Sequence, residues 1–451
     1  MSYQTAVSRM FALGHELAQT PSHKFDLQHM RVLLQAMDHP ERRFPSVLIA
    51  GTNGKGSTAA TLASILGASK IKTGLYTSPH LVRINERIRI HGEEISDDDF
   101  AELYTKVDGV AETLVEETRL PWHPSFFEMM TAIAFEYFAR ERVELAVLEV
   151  GMGGRLDATN VVEPRVSVIT DISLDHQKFL GNTVGEIARE KVGVIRPGGV
   201  VVTLPQLPEA NDVIGNTILE LGARGVNAVP YVPPVSPGSS QYLVPSTEQR
   251  RFVYRYPLQV FGKQILVETG LVGRHQLRNL ALAIAAAVEL NQQGFGGITA
   301  KSIESGIRET RWPGRFQVIP ARAEWPEIVI DVAHNPAGAW ALRSALSEAY
   351  GDRPMIFVFG AMRDKAISEI AEILFPLASR VIATTPENPR AASSEEIRQA
   401  AARTGAEIEA VADVPGAVER ARVLARTETV VVITGSIYLV GEAMRSIGAH
   451  V

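Results

Sequence analysis

The sequence predicts an α/β protein: a P-loop-type, mainly parallel sheet with a small antiparallel region, followed by a smaller Rossmann-like α/β domain. Three observations lead to this fold class. Short apolar segments alternate with helical segments, which is the pattern of a parallel sheet covered by helices. A glycine-rich loop that contains a lysine follows the first apolar segment, at residues 51–57. A stretch rich in proline and serine, 230–245, interrupts the alternation, which restarts after Trp312.

The spacing of apolar residues sets the expected bounds of each element. The opening segment, 4–37, has apolar residues at helical spacings, and a linker at 310–314 divides the chain into domains 1–311 and 312–451. An alternating segment, 251–268, predicts an antiparallel hairpin at a sheet edge that turns at 261–263. The predicted strands are 46–50, 73–76, 145–150, 166–170, 200–203, 328–330, 355–359, 380–383 and 430–433, and the main predicted helices are 58–69, 127–140, 184–195 and 279–290.

Composition and charge exclude several classes of protein. Hydrophobic residues make up 45% and charged residues 21% of the 451 residues, which excludes a largely disordered chain. The net charge of −6 provides no basic field for nucleic acid or an anionic membrane. Cysteine is absent, so disulfides, iron–sulfur clusters and thiol nucleophiles are excluded. We therefore expect a cytoplasmic, monomeric enzyme that binds neither nucleic acid nor a membrane.

The loop at residues 51–57 has the composition of a phosphate-binding site. It lies between an apolar strand and a helix, where backbone N–H groups and the helix dipole favour an anion. Lys55 adds a positive charge for the β- and γ-phosphates, and the Ser57 hydroxyl can reach Mg²⁺. Two residues, rather than the usual four, precede the Gly-Lys pair, and Gly56 separates Lys55 from Ser57. A tight turn alone would account for the glycines but not for the lysine.

Three further polar residues follow buried strands, where open α/β sheets bind their ligands. Glu149 and Asp331 each come at the end of an apolar segment, and His176 lies in the loop after 166–170. A buried carboxylate is costly unless it is paired or binds a metal. For either acid alone, a hydrogen-bonded structural role and a ligand role remain open, and His176 is either solvated or a metal ligand.

Lys191 lies on the apolar face of a predicted helix that starts at a Thr183–Glu186 capping box. The pattern alone favours a lysine stem that lies along apolar surface while its amine reaches solvent. The alternative is a desolvated amine whose pKa is lowered, so that it can react with carbon dioxide to form a carbamate. A carbamate would convert a cation into an anionic oxygen ligand.

Together these residues resemble the dihydrofolate synthase/folylpolyglutamate synthase family of the Mur ligase superfamily. The short phosphate loop is the form that this family uses, and the resemblance covers nearly the whole chain. It is carried by the motifs at 23–27, 50–57, 76–81, 85–88, 126–128, 148–160, 174–176, 189–193, 313–317, 331–336 and 435–436.

The resemblance implies a role for each residue that matches the family pattern. Catalysis is assigned to Lys55, Glu149, His176, Lys191, Arg87 and His334, and the last two are expected to bind substrate carboxylates and the incoming glutamate. Implied ATP-binding residues are Thr52, Asn53, Gly54, Lys55, Gly56, Ser57, Asn279, Arg315 and Asp331. Two Mg²⁺ ions are expected at Ser57, Ser78, Glu149, His176 and a carbamylated Lys191. Implied pteroate-binding residues are Phe25, Asp26, Leu27, Ser125, Phe126, Phe127, Glu128, Leu156, Asp157 and Ala158.

The implied activity is an ATP-dependent ligase that joins L-glutamate to dihydropteroate, to folate polyglutamate, or to both. The reaction would pass through an acyl phosphate and release ADP and phosphate. One alternative is a folylpolyglutamate synthase only, since His275-Gln276 resembles a motif of those enzymes. The other is a nucleotide-switched P-loop protein that performs no ligation, although it would not account for the second α/β domain.

Overall fold

The computed structural model describes residues 1–14, 27–234, 243–245, 252–322 and 325–449. The described helices are α1 (Tyr3–Ala12), α2 (Leu27–Ala36), α3 (Lys55–Ala68), α4 (Asp97–Glu116), α5 (Phe126–Arg140), α6 (Gln177–Leu180), α7 (Val184–Val192), α8 (Pro208–Glu220), α9 (Arg274–Gln292), α10 (Ala300–Glu309), α11 (Pro336–Tyr350), α12 (Ile367–Leu374), α13 (Ser394–Ala400), α14 (Val414–Leu424) and α15 (Ile437–Ser446). The described strands are β1 (Ser46–Ala50), β2 (Thr73–Tyr76), β3 (Ile88–Ile90), β4 (Glu93–Glu94), β5 (Leu145–Glu149), β6 (Val166–Ile169), β7 (Val200–Thr203), β8 (Arg224–Asn227), β9 (Leu243–Pro245), β10 (Phe252–Val260), β11 (Lys263–Thr269), β12 (Gln317–Ile319), β13 (Glu327–Ile330), β14 (Met355–Phe359), β15 (Ala378–Ala383), β16 (Ile408–Ala410) and β17 (Val430–Thr434).

The chain divides into two compact units. The first comprises Met1–Pro233, Leu258–Ile265 and Arg278–Thr310, and the second comprises Pro234–Pro257, Leu266–Leu277 and Arg311–Val451. The second unit therefore includes two segments that precede the linker expected from the sequence. The chain passes between the two units at several points, and the predicted boundary at residue 311 corresponds to the last of them, between Thr310 and Arg311.

The first unit is built on an eight-stranded sheet in the order β4-β3-β2-β5-β1-β6-β7-β8. Strands β2, β5, β1, β6, β7 and β8 pair in parallel, and β3 and β4 add antiparallel pairs at one edge. Every residue of β1 and β5 is buried, as expected for strands that helices cover on both faces. Each fully buried Val, Leu or Ile side chain contributes roughly 1.5–3 kcal/mol to folding.

The second unit is built on a six-stranded sheet in the order β12-β13-β17-β14-β15-β16. Strands β13, β17, β14, β15 and β16 pair in parallel, while β12 is an antiparallel edge strand. The predicted hairpin at 251–268 corresponds to β10 and β11. These two strands belong to a separate three-stranded sheet in the order β11-β10-β9, and β11 is an edge strand of that sheet.

The predicted fold class is confirmed, and the main differences concern where elements begin. The opening helical pattern corresponds to two helices, α1 and α2, in the described residues. Helix α3 begins at Lys55 instead of residue 58 because Gly54 acts as its N-cap with φ of 89°. No helix in the described part of the chain is both long and apolar enough to cross a membrane.

Candidate active site

The parallel order of the first sheet brings several polar loops to one edge. The carboxyl ends of β2, β5, β1 and β6 are neighbours, so the segments that follow them lie side by side. Those segments carry Ser78, Glu149, the phosphate loop at 51–57, and the loop at 171–176 with His176. Residues predicted from widely separated parts of the sequence therefore meet at this edge.

The phosphate loop is fixed by contacts with the loop after β6. The backbone N–H groups of Thr52 and Asn53 donate to the carbonyl oxygen of Asp171 at 2.9 and 3.1 Å. The Thr52 hydroxyl donates to the Ser173 carbonyl at 3.0 Å, and the Asn53 side-chain amide donates to the Ser173 hydroxyl at 3.0 Å. The backbone N–H groups of Thr52 and Asn53 are thus used within the protein. The first N–H groups of α3 have no partner within the helix, and donors of this kind are suited to an anion.

Two glycines in this loop lie where a side chain could fit only if a neighbouring residue moved. A Cβ atom at Gly51, whose φ is 155°, would lie 1.7 Å from the Thr170 hydroxyl oxygen. A Cβ atom at Gly54, whose φ is 89°, would lie 2.1 Å from Oδ1 of Asn279. Asn279 is buried on α9, so its side chain packs directly onto the phosphate loop. This contact places Asn279, predicted to bind ATP, next to the predicted phosphate site.

We expect Gly54→Ala to weaken nucleotide binding at least about tenfold. The free loop can relieve the strain of the positive φ, about 1–2 kcal/mol for an L-residue, and the clash with Asn279 by moving, so binding must restore the strained shape; 1.4 kcal/mol corresponds to tenfold in affinity. Calorimetric titration with ADP measures the effect. Gly262→Ala is the matched control, because Gly262 also has positive φ (69°) but a Cβ there would meet nothing within 4 Å. Equal ADP affinity in Gly54→Ala and Gly262→Ala would contradict the expectation.

Two lysines converge on the phosphate loop. The Lys191 amine donates to the Gly51 carbonyl oxygen at 2.7 Å, and the Lys55 amine donates to the same oxygen at 3.2 Å. Lys55 also donates to the Thr52 carbonyl at 3.3 Å. The Lys55 ammonium lies over the carbonyls of its own loop and makes this site locally electropositive, which suits a phosphate.

Lys191 is buried, with 3% of its surface exposed. The capping box predicted for its helix is confirmed, since the Glu186 N–H donates to the Thr183 hydroxyl at 3.2 Å. The interpretation in which the amine reaches solvent is wrong. Burial, and then the nearby charge of Lys55, lower the pKa of Lys191 to about 7, although Asp175 and Asp157 oppose the shift. Near neutral pH, a large fraction of the protein molecules therefore has a neutral Lys191 amine, which is nucleophilic.

The lowered pKa of Lys191 predicts that stability rises with pH. Above pH 7 the amine is mostly neutral in the folded protein, whereas the unfolded chain keeps it protonated up to its ordinary pKa of 10.5. Unfolding then takes up a proton, so raising the pH favours the folded state. Between pH 7 and 9 the free energy of unfolding should rise by about 2 kcal/mol more in the wild type than in Lys191→Met. Denaturant unfolding in carbon dioxide-free buffer tests this, and equal pH dependence would contradict it.

Glu149, Ser78 and His176 lie at or just after the carboxyl ends of β5, β2 and β6, in the same sheet as β1, from which the phosphate loop emerges. Glu149 is buried at the end of β5, where it pairs with Ile49 of β1, and its Oε2 accepts the Ser78 N–H at 3.2 Å. His176 is the N-cap residue before α6, and its Nε2 lies 3.9 Å from Oδ2 of Asp175. In the described residues no group of three or more His, Asp or Glu side chains could hold a metal ion unaided. The donors that are present suit Mg²⁺, which takes few protein ligands and completes its shell with water and phosphate oxygens.

The predicted pteroate-binding segment at 125–128 forms the first turn of α5. Ser125 caps this helix, and its N–H donates to Oε2 of Glu128 at 2.8 Å. Burial opposes ionisation of Glu128, but the hydrogen bond and charge of His29, with the donors of Ser125, outweigh burial and hold its pKa below the usual value. Phe127 packs onto Gly151, where a Cβ would lie 2.5 Å from its ring. This contact joins the segment to the loop after Glu149.

Arg87 lies beside the same helix. Its Nε donates to Nδ1 of His80 at 2.8 Å, and its guanidinium lies 5.1 Å from the centre of the Phe126 ring. Phe11 of α1 stacks on Phe126 with ring centres 5.8 Å apart. The structure thus brings the predicted carboxylate-binding arginine together with a predicted pteroate-binding aromatic residue.

The remaining predicted pteroate-binding residues lie in the loop after β5 and at or before the start of α2. The Asp157 carboxylate is buried and accepts the N–H groups of Met152 and Thr159, both at 3.0 Å, so it organises its own loop. Burial raises the pKa of Asp157, although these hydrogen bonds oppose the shift. Leu156 and Ala158 flank it, and Leu27 begins α2. Phe25 and Asp26 lie outside the described residues.

Three predicted residues belong to the second unit. Asp331 follows β13, and its carboxylate accepts the N–H groups of Phe316 and Ala333, both at 2.8 Å. Burial raises the pKa of Asp331, while the charge of Arg315 opposes this shift. His334 contacts the Val332 carbonyl through Nδ1 at 2.9 Å. Arg315, Asp331 and His334 are therefore grouped at the carboxyl end of β13.

Sequence reasoning missed His29 and Asp171. His29 is buried, and its Nδ1 lies 3.0 Å from Oε1 of Glu128. Asp171 anchors the phosphate loop through its carbonyl oxygen. The only signal for His29 was a polar residue on the apolar face of α2, and backbone contacts such as those of Asp171 leave no signal in a sequence.

The chain matches two family models. The Mur ligase middle domain matches residues 102–287, and the Mur ligase glutamate ligase domain matches residues 314–437. A dihydrofolate synthase/folylpolyglutamate synthase from Bacillus subtilis is 33% identical over 420 residues, covering 92% of this chain and 93% of the relative. The Escherichia coli protein of the same name is 31% identical over 407 residues, covering 89% and 86%.

Solved structures agree with these matches. Folylpolyglutamate synthase from Mycobacterium tuberculosis, complexed with ADP and AMPPCP, superposes with a TM-score of 0.81 at 30% identity and covers 99% of both chains. Escherichia coli FolC in complex with DHPP and ADP has a TM-score of 0.80 at 28% identity, covering 100% of this chain and 98% of that one.

Proposed function

Because this chain belongs to the dihydrofolate synthase/folylpolyglutamate synthase family of Mur ligases, an ATP-dependent, amide-forming family, we propose that it joins L-glutamate to dihydropteroate, to folate polyglutamate, or to both. The observation that carries this proposal is the convergence of Lys55 and Lys191 on the Gly51 carbonyl, with the buried Glu149 at the end of the neighbouring strand β5. We further propose that the protein acts as a monomer in the cytoplasm.

Amide formation needs an activated carboxylate. A carboxylate oxygen of the acceptor attacks the γ-phosphorus of ATP, the bond to the bridging oxygen breaks, and ADP leaves. The glutamate amine then attacks the acyl carbon, loses a proton, and displaces inorganic phosphate. The first step brings a carboxylate against a triphosphate, so the site must offset the repulsion of two anions, and Lys55 supplies positive charge for this at the phosphate loop.

We assign the metal ligands to Ser57, Ser78, Glu149, His176 and a carbamylated Lys191, for two Mg²⁺ ions. When bound, Mg²⁺ neutralises charge on the phosphates and orients them for transfer. The neutral Lys191 amine can attack carbon dioxide, forming an N–C bond and releasing a proton, which gives the anionic carbamate. Its burial and its lowered pKa support this modification.

The acceptor end of the site is assigned to the first turn of α5 and the loop after β5. Phe126 and Phe127 offer aromatic surface for a pterin or aminobenzoyl ring, and Arg87 offers a cation for an acceptor carboxylate. Glu128 supplies an ionised oxygen for ring N–H donors, since its pKa is held below the usual value. Following the family pattern, we assign Asn279, Arg315 and Asp331 to ATP and His334 to the incoming glutamate.

Product analysis by mass spectrometry tests the proposed acceptors. The enzyme is incubated with ATP, Mg²⁺, glutamate and either dihydropteroate or tetrahydrofolate. A product that has gained one glutamate residue from both acceptors supports the bifunctional form. A product from tetrahydrofolate alone reduces the proposal to folylpolyglutamate synthesis, and no adduct from either acceptor contradicts it.

A further inference from the structure

Asp171 lies where the phosphate loop, the loop of His176 and helix α9 meet. Its carbonyl oxygen accepts hydrogen bonds from the N–H groups of Thr52 and Asn53, so its backbone contacts the phosphate loop directly. Its carboxylate accepts two donors of the Arg278 guanidinium, with Nη2 2.6 Å from Oδ1 and Nε 3.1 Å from Oδ2. One residue therefore links the phosphate loop to α9.

Arg278 also contacts the segment that follows β7. Its Nη2 also donates to the Pro205 carbonyl at 3.0 Å. The following residue, Gln206, accepts the Ile172 N–H at 3.0 Å through its Oε1. The segment after β7 is thus hydrogen-bonded to Arg278 and to Ile172, the residue after Asp171. These contacts restrict where the guanidinium can lie.

Asn279 directly follows Arg278 in α9. Both belong to one continuous helix, Arg274–Gln292, so the position of Arg278 fixes the position of the next residue along the backbone. The Asn279 side chain is buried against Gly54, where an added Cβ would lie 2.1 Å from its Oδ1. The helix therefore touches the phosphate loop directly through Asn279 and indirectly through Arg278 and Asp171.

We infer that Asp171 and Arg278 are a positioning pair for nucleotide binding: they hold the phosphate loop and Asn279 in the arrangement that accepts ATP. The inference rests on the proposed function only in taking ATP as the ligand of this loop. The Arg278 side chain is 32% exposed and that of Asp171 is 35% exposed, and isolated ion pairs at such positions contribute little to stability. A two-point guanidinium–carboxylate pair, however, fixes orientation. Its loss should therefore affect nucleotide affinity more than folding.

The test compares Arg278→Gln, Asp171→Asn, the double variant and Arg278→Lys. Each of the first two should raise the Kd for ADP and the KM for ATP about fivefold, with kcat changed less than about twofold. The double variant should be no weaker than either single variant, because all three remove the same interaction. Arg278→Lys should retain part of the affinity, since it keeps the charge but not the two-point contact. Arg255→Gln, which breaks the Arg255–Glu268 pair, is the matched control.

A second readout reports the loop directly. Hydrogen exchange at the Thr52 and Asn53 amides should be faster in nucleotide-free Arg278→Gln than in the wild type and in Arg255→Gln. Unchanged ADP affinity, additive effects in the double variant, or unchanged exchange at these amides would each overturn the inference. ADP affinity is measured without acceptor or glutamate, so failure of the ligase assay would leave this test valid. Normal ligation with no coupling between the two residues would overturn the positioning role alone.

Discussion

Lys55→Met should lose at least about 100-fold in kcat/KM for ATP, which corresponds to about 3 kcal/mol of transition-state stabilisation. The ammonium group lies in the first turn of α3 and points back over its own loop, toward the Gly51 and Thr52 carbonyls. It can therefore compensate negative charge that develops on the transferred phosphoryl group. Methionine keeps most of the side-chain volume and removes the charge together with the two hydrogen bonds of the amine, so the loop should stay folded.

Steady-state kinetics with varied ATP measures this effect. Lys263→Met is the matched control, because Lys263 is an exposed lysine in the hairpin between β10 and β11. The control should retain wild-type kinetics. Wild-type kcat/KM in a folded Lys55→Met protein would show that this amine does not serve phosphoryl transfer.

The second large effect is expected for Lys191→Ala, with a loss of kcat on the order of 100-fold and partial recovery when formate or acetate is added. The substitution removes a buried side chain and leaves space where the proposed carbamate would lie. A short carboxylic acid can enter that space and supply the missing oxygen ligand. Rescue by an acid would not be expected if the wild-type residue served only as a cation.

The control variant is Lys301→Ala, an exposed lysine on α10. It should be fully active, and carboxylic acids should not stimulate it. A Lys191→Ala protein that is folded and binds ATP, yet shows no recovery over a range of acid concentrations, would count against the carbamate.

The sequence was sufficient to predict the fold class and the strands that carry the site, because those features depend on local patterns. Strand β1 has the bounds expected from its apolar run, and Glu149 ends β5 as expected. The inward position of Lys191 followed from helical spacing. Its contact with the Gly51 carbonyl could not be predicted, since it joins residues 140 positions apart through tertiary packing.

Backbone geometry accounts for most of the remaining differences. The start of α3 was predicted three residues late because a glycine N-cap carries no side-chain signal. The backbone N–H groups of Thr52 and Asn53, two residues that the family resemblance assigns to ATP, donate to the Asp171 carbonyl oxygen. Whether an N–H group faces a ligand or a neighbouring loop depends on tertiary contacts that residue types do not encode. The same is true of His29, whose partner Glu128 lies 99 positions away.

Release of ADP under omission of single substrates tests the central claim most directly. With ATP, Mg²⁺, a pterin or folate acceptor and glutamate all present, the wild-type enzyme should release ADP in step with amide formation. Omitting either glutamate or the acceptor should abolish sustained turnover. Equal ADP release without glutamate and without any acceptor would identify a nucleotide hydrolase or switch and contradict glutamate ligation.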